Sequence, residues 1–323
     1  MPRLRAPLLV ALLLAGCAAP AAPDETAVAF PAVRVETGMG AFTAILFCEE
    51  TPATCAFFRD LVESKYYDGR AFGRVIPGFV IQEVDRTGGT TDHEGRVVGE
   101  FGSQVMFSAG AFGIARGADP DSGGSEFFVM DFATSHLYGN YTAFAQVVEG
   151  MDVVRAIARV PAVRTGPASA VGAPEGAPVA FGVHDRVPVD PVEMTRVTMT
   201  TLELPASVAA RYPLVVGESV RTDAYRVTLE WPRDLRAGAA SELTWYVMPR
   251  DATPTGSLRD PEPVELAGAR VLVEGPSSFE APLAEEGTRG VLAWRWTPAA
   301  PGEHYVRLFR GGEELAGVAV AVR

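Results

Sequence analysis

Arg74 and Gln82 flank a Pro77-Gly78 break in the run Ala-Phe-Gly-Arg-Val-Ile-Pro-Gly-Phe-Val-Ile-Gln-Glu, residues 71–83. A guanidinium carries donors in a rigid fork, and a side-chain amide can accept from that fork and hold it in place. Phe72 and Phe79 add aromatic rings. Such a set can grip an apolar body and aim a donor at one atom of it, with no nucleophile and no metal. A second run, Ser122-Gly-Gly-Ser-Glu-Phe-Phe-Val-Met130, leads glycines into an aromatic pair, and His136-Leu-Tyr-Gly-Asn-Tyr-Thr-Ala-Phe144 follows it. Other chemistries lack their residues. His93, His136, His184 and His304 have a spacing that suits no metal site. There is no Gly-x-Ser-x-Gly, phosphate loop or dinucleotide fingerprint. The stretch from Asp119 starts like a calcium loop, but its fifth position is Gly123 and its twelfth Met130, where an acid is needed.

The elements that must position these residues are short. Asp68-Gly69 is a turn signal, residues 72–76 read as a strand, and residues 79–82 read as another after the Pro-Gly break. Strict alternation puts Arg74 on one face with Phe72 and Ile76, and Gln82 with Val80. Upstream, residues 33–47 read as two strands around Thr37-Gly38-Met39-Gly40. Residues 54–64 form a helix, with Phe57, Phe58, Leu61 and Val62 at helical spacing and Pro52 before its start. Residues 87–102 and 116–124 are loops, while 105–115 and 143–148 are strands. A second helix covers 151–158, with Val153, Val154 and Ile157 on one side. Residues 162–182, rich in Pro, Gly and Ala, read as an irregular insertion, and 190–202 as a closing strand. Short strands with two helices suit a closed antiparallel barrel capped at both ends.

Four ordered stretches, Tyr-Tyr-Asp-Gly, Phe-Gly-Arg-Val-Ile-Pro-Gly-Phe, Ser-Gly-Gly-Ser-Glu-Phe-Phe and Phe-Ala-Gln-Val-Val-Glu-Gly-Met-Asp-Val-Val, resemble the cyclophilin peptidyl-prolyl isomerases over roughly residues 31–204. The resemblance implies a cyclophilin-like barrel and cis–trans isomerisation of Xaa-Pro bonds without cofactor or metal. It implies that Arg74 is the catalytic donor and Gln82 its polar partner. Phe79, Val80, Phe128 and Leu137 fall on the pocket for the proline ring, Ala115 and Arg116 on the wall beside the preceding residue. Tyr141 occupies a place where the family has His or Tyr. This chain departs from the pattern at Gly73, where His is common, at Glu83-Val84 in place of Gly-Gly, at His136 in place of Trp or Phe, and at Glu126 in place of Gln.

The N-terminal segment points to export. Arg3 and Arg5 precede an apolar run, 8–14, too short to span a bilayer, which closes in Leu14-Ala15-Gly16-Cys17. This looks like a bacterial lipoprotein processing box, with cleavage before Cys17 and a lipid on that cysteine. Residues 17–30 then read as a flexible spacer. Ala18 after the lipidated cysteine leans toward the outer membrane, with the body facing the periplasm. Cys48 and Cys55 remain: in an oxidising compartment they form a disulfide, and two buried free thiols are the other reading. The net charge of −12 with no basic run speaks against nucleic acid. Lys65 is the only lysine, so the arginine bias reflects composition rather than function.

The second half changes character. Residues 224–231, 242–249, 269–275, 291–297, 304–310 and 317–322 all read as strands with turn signals between them. Tyr225-Val227-Leu229-Trp231 and Leu243-Trp245-Val247 are clean alternations. This predicts a small immunoglobulin-like β-sandwich over 218–323, joined by a linker over 205–217. The expectation is a prolyl isomerase for exported or envelope proteins, tethered by lipid and acting on proline-containing segments. The alternatives are a proline-segment binding module or a structural envelope lipoprotein with little catalysis.

Overall fold

The computed structural model describes residues 26–84, 95–163, 186–217, 220–221, 225–249, 266–285, 288 and 290–323. In the first half the elements are β1 (Ala27–Thr37), β2 (Gly40–Leu46), α1 (Pro52–Glu63), β3 (Ala71–Ile76), β4 (Val80–Glu83), β5 (Ala111–Ile114), β6 (Phe127–Met130), β7 (Ala143–Glu149), α2 (Met151–Ala158), β8 (Ala162–Val163), β9 (Val187–Pro188) and β10 (Val192–Pro205). Eight of these strands close a barrel in the order β1-β10-β3-β4-β6-β5-β7-β2, as the short strands predict. β8 and β9 pair with each other at the two ends of the insertion; residues 164–185 lie outside the described residues. β1 starts at Ala27 and pairs with β10 from Ala27↔Pro205 onward. The spacer expected over 17–30 therefore overlaps the barrel.

The barrel interior is aromatic. Phe42, Phe58, Tyr67, Phe72, Phe112, Phe127 and Phe144 are buried together with Val33, Val35 and Val75. Both helices bury a face on this core, α1 through Cys55, Phe58, Leu61 and Val62, and α2 through Val154, Ile157 and Ala158. Pro52 stands in the first turn of α1, where a missing N–H leaves nothing unsatisfied. The Glu100 carboxylate, from the loop that follows Val97, accepts from the N–H groups of Ala53 (3.0 Å) and Thr54 (2.9 Å). An anion there satisfies two orphan donors and complements the helix dipole.

The second half begins within the expected linker, with α3 (Ala206–Ala209) and β11 (Val215–Val216). There follow β12 (Val220–Arg221), β13 (Tyr225–Trp231), β14 (Ser241–Pro249), β15 (Ala269–Glu274), β16 (Phe279–Pro282), β17 (Val291–Trp296), β18 (Gly302–Arg310) and β19 (Glu313–Val322). One sheet runs β11-β13-β14-β17, with β12 also on β13; the other runs β16-β15-β18-β19. Val227, Leu229 and Trp245 of the first meet Val271, Val273, Val306 and Leu308 of the second in one buried cluster, the core of a sandwich.

Four hydrogen-bonding side chains of β13 and β14 are not left to solvent. Thr228, Glu230, Thr244 and Tyr246 are buried. Tyr246, Met248, Val291 and Val216 pack with Ala109, Phe132 and Ala133 of the barrel half. The rings of Phe132 and Tyr246 lie 5.2 Å apart, and the Ala109 N–H donates to Glu230 Oε2 at 2.8 Å.

Candidate active site

Strict alternation misplaces Phe72. The register of β3 on β4 shifts between Phe72↔Glu83 and Arg74↔Gln82, leaving Gly73 as an extra residue. Such a bulge turns the side chains after it to the other face. Phe72 therefore lies in the barrel interior, whereas Ile76 belongs to a separate cluster with Phe79, Val80, Phe128 and Leu137. Arg74 is not grouped with Phe72 across this bulge. Gly73 also explains one departure by another. A Cβ there would stand 3.1 Å from Cβ of Val84, so the bulk that Val84 adds on one strand is matched by its absence on the other. Glu83, beside Val84, points to the interior, fully buried, and takes Arg70 Nη1 at 3.2 Å.

Past the bulge, five residues line up across the sheet. Arg74 pairs with Gln82, Gln82 with Phe128, Phe128 with Gly113 and Gly113 with Ala143. Arg74 Nη1 donates to Gln82 Oε1 at 3.0 Å. Phe128 lies flat over Gly113 because nothing stands in its way: a Cβ on Gly113 would come within 2.2 Å of Phe128 Cζ and 2.8 Å of Phe107 Cε1. Phe107 and Phe128 stack with centroids 5.8 Å apart. A cation aimed by an amide thus borders an apolar floor. Arg74 is only 5% exposed.

The walls come from the loops around this row. His136 stacks on Phe79 at 5.7 Å and Tyr141 meets Phe128 edge-on at 6.0 Å. His136 Nδ1 and Thr134 Oγ1 share a hydrogen bond. The Arg116 guanidinium sits 4.8 Å from the Tyr141 ring centre, and its Nε donates to Asn140 O at 2.7 Å. Ala115 packs against the same apolar cluster, and its N–H donates to Glu126 O at 2.9 Å. Glu126 itself is 5% exposed, so this carboxylate in the place of an amide is a buried one. The structure thus gathers Phe79, Val80, Ala115, Phe128, Leu137 and Tyr141 in one apolar cluster. His136 and Arg116 lie against its rings, and Gln82 and Arg74 continue the row from Phe128.

Asp131 was not visible as a site residue in the sequence. It follows the all-apolar β6, is fully buried, and accepts the Gly78 N–H at 2.6 Å and Arg159 Nη1 at 3.1 Å. Burial raises its carboxyl above the usual range, and Arg159 and the Gly78 N–H oppose that rise. The carboxylate ties down the tip of the β3–β4 bend. Gly78 is there at φ +75°, a conformation that glycine adopts without strain, and a Cβ on it would meet Met248 Cε at 3.2 Å. The sandwich half thus packs against the bend that carries Phe79. An acid that ends an apolar strand is the one signal that could have pointed to Asp131.

Cys48 and Cys55 are joined as a disulfide with Cα atoms 5.2 Å apart. Cys17 and the basic and apolar segments before it lie outside the described residues. Among the described residues no helix is long and apolar enough to cross a membrane, and no group of His, Cys, Asp and Glu could hold a metal ion.

Residues 32–174 match the family model described as cyclophilin type peptidyl-prolyl cis-trans isomerase/CLD. The chain is 38% identical over 135 residues to peptidyl-prolyl cis-trans isomerase-like 1 of Neurospora crassa, a match covering 40% of this chain and 82% of that protein. It is 33% identical over 134 residues to peptidyl-prolyl cis-trans isomerase-like 3 of Gallus gallus, covering 40% of this chain and 83% of that protein. Among solved structures it is similar to a cyclophilin type peptidyl-prolyl cis-trans isomerase of Cryptosporidium parvum, with 24% identity, a TM-score of 0.44, and 53% and 98% of the two chains covered.

Proposed function

The chain belongs to the cyclophilin-type peptidyl-prolyl cis-trans isomerases, and from that premise we propose that it speeds the folding of exported polypeptides by aiming the Arg74 guanidinium at a twisted prolyl nitrogen. Rotation about an amide meets a barrier of about 18–20 kcal/mol because resonance must break. At proline the two planar states are nearly balanced, yet they exchange over roughly 10–100 s. In the twisted state the nitrogen becomes pyramidal and regains a lone pair. A donor placed at that lone pair binds the twisted amide better than either planar form, and each ~1.4 kcal/mol of that difference is a tenfold gain in rate.

The observation that carries this reading is the row Arg74–Gln82–Phe128–Gly113. Gln82 accepts from one arm of the guanidinium at 3.0 Å, and Phe128 over Gly113 offers a flat apolar floor beside it. The proline ring rests on Phe128 with Phe79, Val80 and Leu137 around it. Ala115 and Arg116 flank the residue before proline. Glu126, His136 and Tyr141 complete the rim.

Export rests on Cys17 and the apolar run before it. In this reading a lipid on Cys17 tethers the protein to the outer membrane, facing the periplasm, where proline-limited folding of exported chains takes place. The experiment uses the full chain and its Cys17→Ser variant in cells and in pure form. We expect the variant to leave the membrane fraction. We expect the pure protein to accelerate both cis–trans exchange in an Ala-Pro peptide and the slow refolding phase of an exported, proline-limited protein. Membrane association that persists with no lipid on the mature N-terminus would sink the tether. Peptide exchange without any gain in refolding would sink the folding role.

A further inference from the structure

The two halves enclose a partly open cleft of about 300 Å³, bounded by Ala109, Val147 and Met151 on the barrel side and by Trp231, Tyr246 and Val291 on the sandwich side. Arg155 of α2 and Arg211, just after α3, line it and are both half-buried. Among the described residues neither guanidinium has a hydrogen bond or ion pair, and Arg155 Nε is buried with no acceptor. This contrasts with Arg159, which caps the C-terminus of α2 and grips Asp131. Two guanidiniums that make no ion pair among the described residues, with Glu230 and Asp131 acting on Arg155 only through longer-range charge, stand in a cleft between domains of the size that small ligands occupy and can hold an anion.

The acids of the cleft do not fill that place. Glu230 is already engaged, accepting from the Ala109 N–H at 2.8 Å and the Tyr246 hydroxyl at 3.3 Å. Burial raises its carboxyl to about 7, against the opposing pull of its two hydrogen bonds and of the Arg155 charge. Glu242 is exposed at the rim and makes no contact with either arginine within ion-pair distance among the described residues. The remaining wall is mixed, with Gln146 and Thr244 beside apolar and aromatic side chains. Guanidinium forks match the planar geometry of a carboxylate, and Trp231 and Met151 suit a hydrophobic body.

We propose that this cleft binds a small amphipathic carboxylate, its anionic head on Arg155 and Arg211 and its apolar body against Trp231 and Met151. The carboxylate can belong to a free organic acid or to the C-terminus of a peptide. The site is separate from the prolyl pocket, which lies along the row from Arg74 to Gly113.

The test titrates the full-length protein with N-acetylphenylalanine, with its neutral amide, and with a pentapeptide ending in free phenylalanine, followed by calorimetry and saturation-transfer NMR. We expect the acid or the pentapeptide to bind saturably and the amide at least about tenfold more weakly, as loss of one charge-assisted contact predicts. Arg155→Gln and Arg211→Gln should each weaken binding several-fold while kcat/KM on a prolyl peptide stays at the parent value. Binding of the pentapeptide alone identifies a chain terminus as the source; binding of the acid identifies a free small molecule. The proposal falls if no carboxylate saturates below about 10 mM, if the amide binds as well as the acid, or if both arginine variants bind like the parent. Should a variant not fold, the comparison of acid with amide on the parent protein still decides.

Discussion

Arg74 and Gln82 are register partners on β3 and β4, and Arg74 Nη1 donates to Gln82 Oε1 at 3.0 Å. The amide therefore fixes one arm of a guanidinium fork and leaves the direction of the whole group defined. Arg74→Lys keeps the charge but has no fork to be held, so we expect kcat/KM on a prolyl peptide to fall by tenfold or more with little change in Tm. Arg74→Ala should lose activity further. Because Arg74 is buried, that variant should also cost about 1–3 kcal/mol of stability, seen in the urea midpoint. A lysine variant with unchanged kcat/KM would show that charge alone suffices and that the fork is irrelevant.

The barrel and the sandwich strands were legible because their side chains alternate. Val227, Leu229, Leu243, Trp245 and Val247 all point into the sandwich core as their spacing predicts. The bulge at Gly73 was not legible, because counting by twos assumes that no residue is inserted, and only the partner strand reveals the insertion. The burial of Glu230, Thr228 and Tyr246 was not legible for a different reason. Polar residues at alternate positions give no sign of a partner surface, yet Glu230 and Tyr246 are buried against Ala109 and Phe132 of the other half. Docking of two halves leaves no local period. The same holds for Asp131, whose partners Gly78 and Arg159 are remote in sequence. The pocket residues were found through a family resemblance; singly, Phe79 or Leu137 looks like any core residue.

The Cys48–Cys55 disulfide links the end of the β2 region to the first turn of α1, across a sequence separation of 7. Closing so short a loop restricts the unfolded chain and is worth about 2 kcal/mol by chain entropy. We expect the double variant Cys48→Ala, Cys55→Ala to show a lower urea midpoint. Isomerase activity at low temperature should be unchanged, because neither sulfur borders the prolyl pocket. Thiol counting under denaturing, non-reducing conditions on exported protein provides the direct check, and two free thiols per chain would contradict the bond.

We expect the stability of the docked structure to depend on pH through Glu230. Burial is the main cause of its raised carboxyl, at about 7, with Glu242 of β14 adding to the rise. The Ala109 N–H, the Tyr246 hydroxyl of β14 and Arg155 of α2 act the other way. Tyr212, ahead of β11, also feels its charge. A carboxyl whose pKa is higher when buried than when exposed favours the closed state in its protonated form. Its contribution is therefore full below about 4.5, falls as pH rises to about 7, and is level beyond. The span corresponds to roughly 3 kcal/mol. Glu230→Gln keeps an acceptor for Ala109 and removes the titration, so its unfolding free energy should lose this slope and exceed that of the parent at pH 8. Identical pH profiles for the two proteins would show that Glu230 is not the group responsible.

Glu126 is the departure with the clearest consequence for rate. The family resemblance puts an amide at this position, next to the arginine. An amide can orient a guanidinium without neutralising it, whereas a carboxylate can take both of its arms in a charge-assisted fork. That pairing would fix the arginine's position and at the same time draw its donors away from the prolyl nitrogen. Arg74 and Glu126 are each 5% exposed, so water screens any attraction between them poorly. We expect Glu126 to lower transition-state binding by about 1–2 kcal/mol, roughly tenfold in rate. Glu126→Gln should therefore raise kcat/KM on a prolyl peptide. It should do so through kcat rather than KM, because the amide changes what the arginine offers the twisted state and not the pocket that holds the ring. A control Tm separates this from a change in folding, since removing a buried charge also alters stability. A slower Glu126→Gln enzyme of unchanged Tm would mean that the carboxylate assists the rotation, by sharpening the aim of Arg74 more than it weakens its donors.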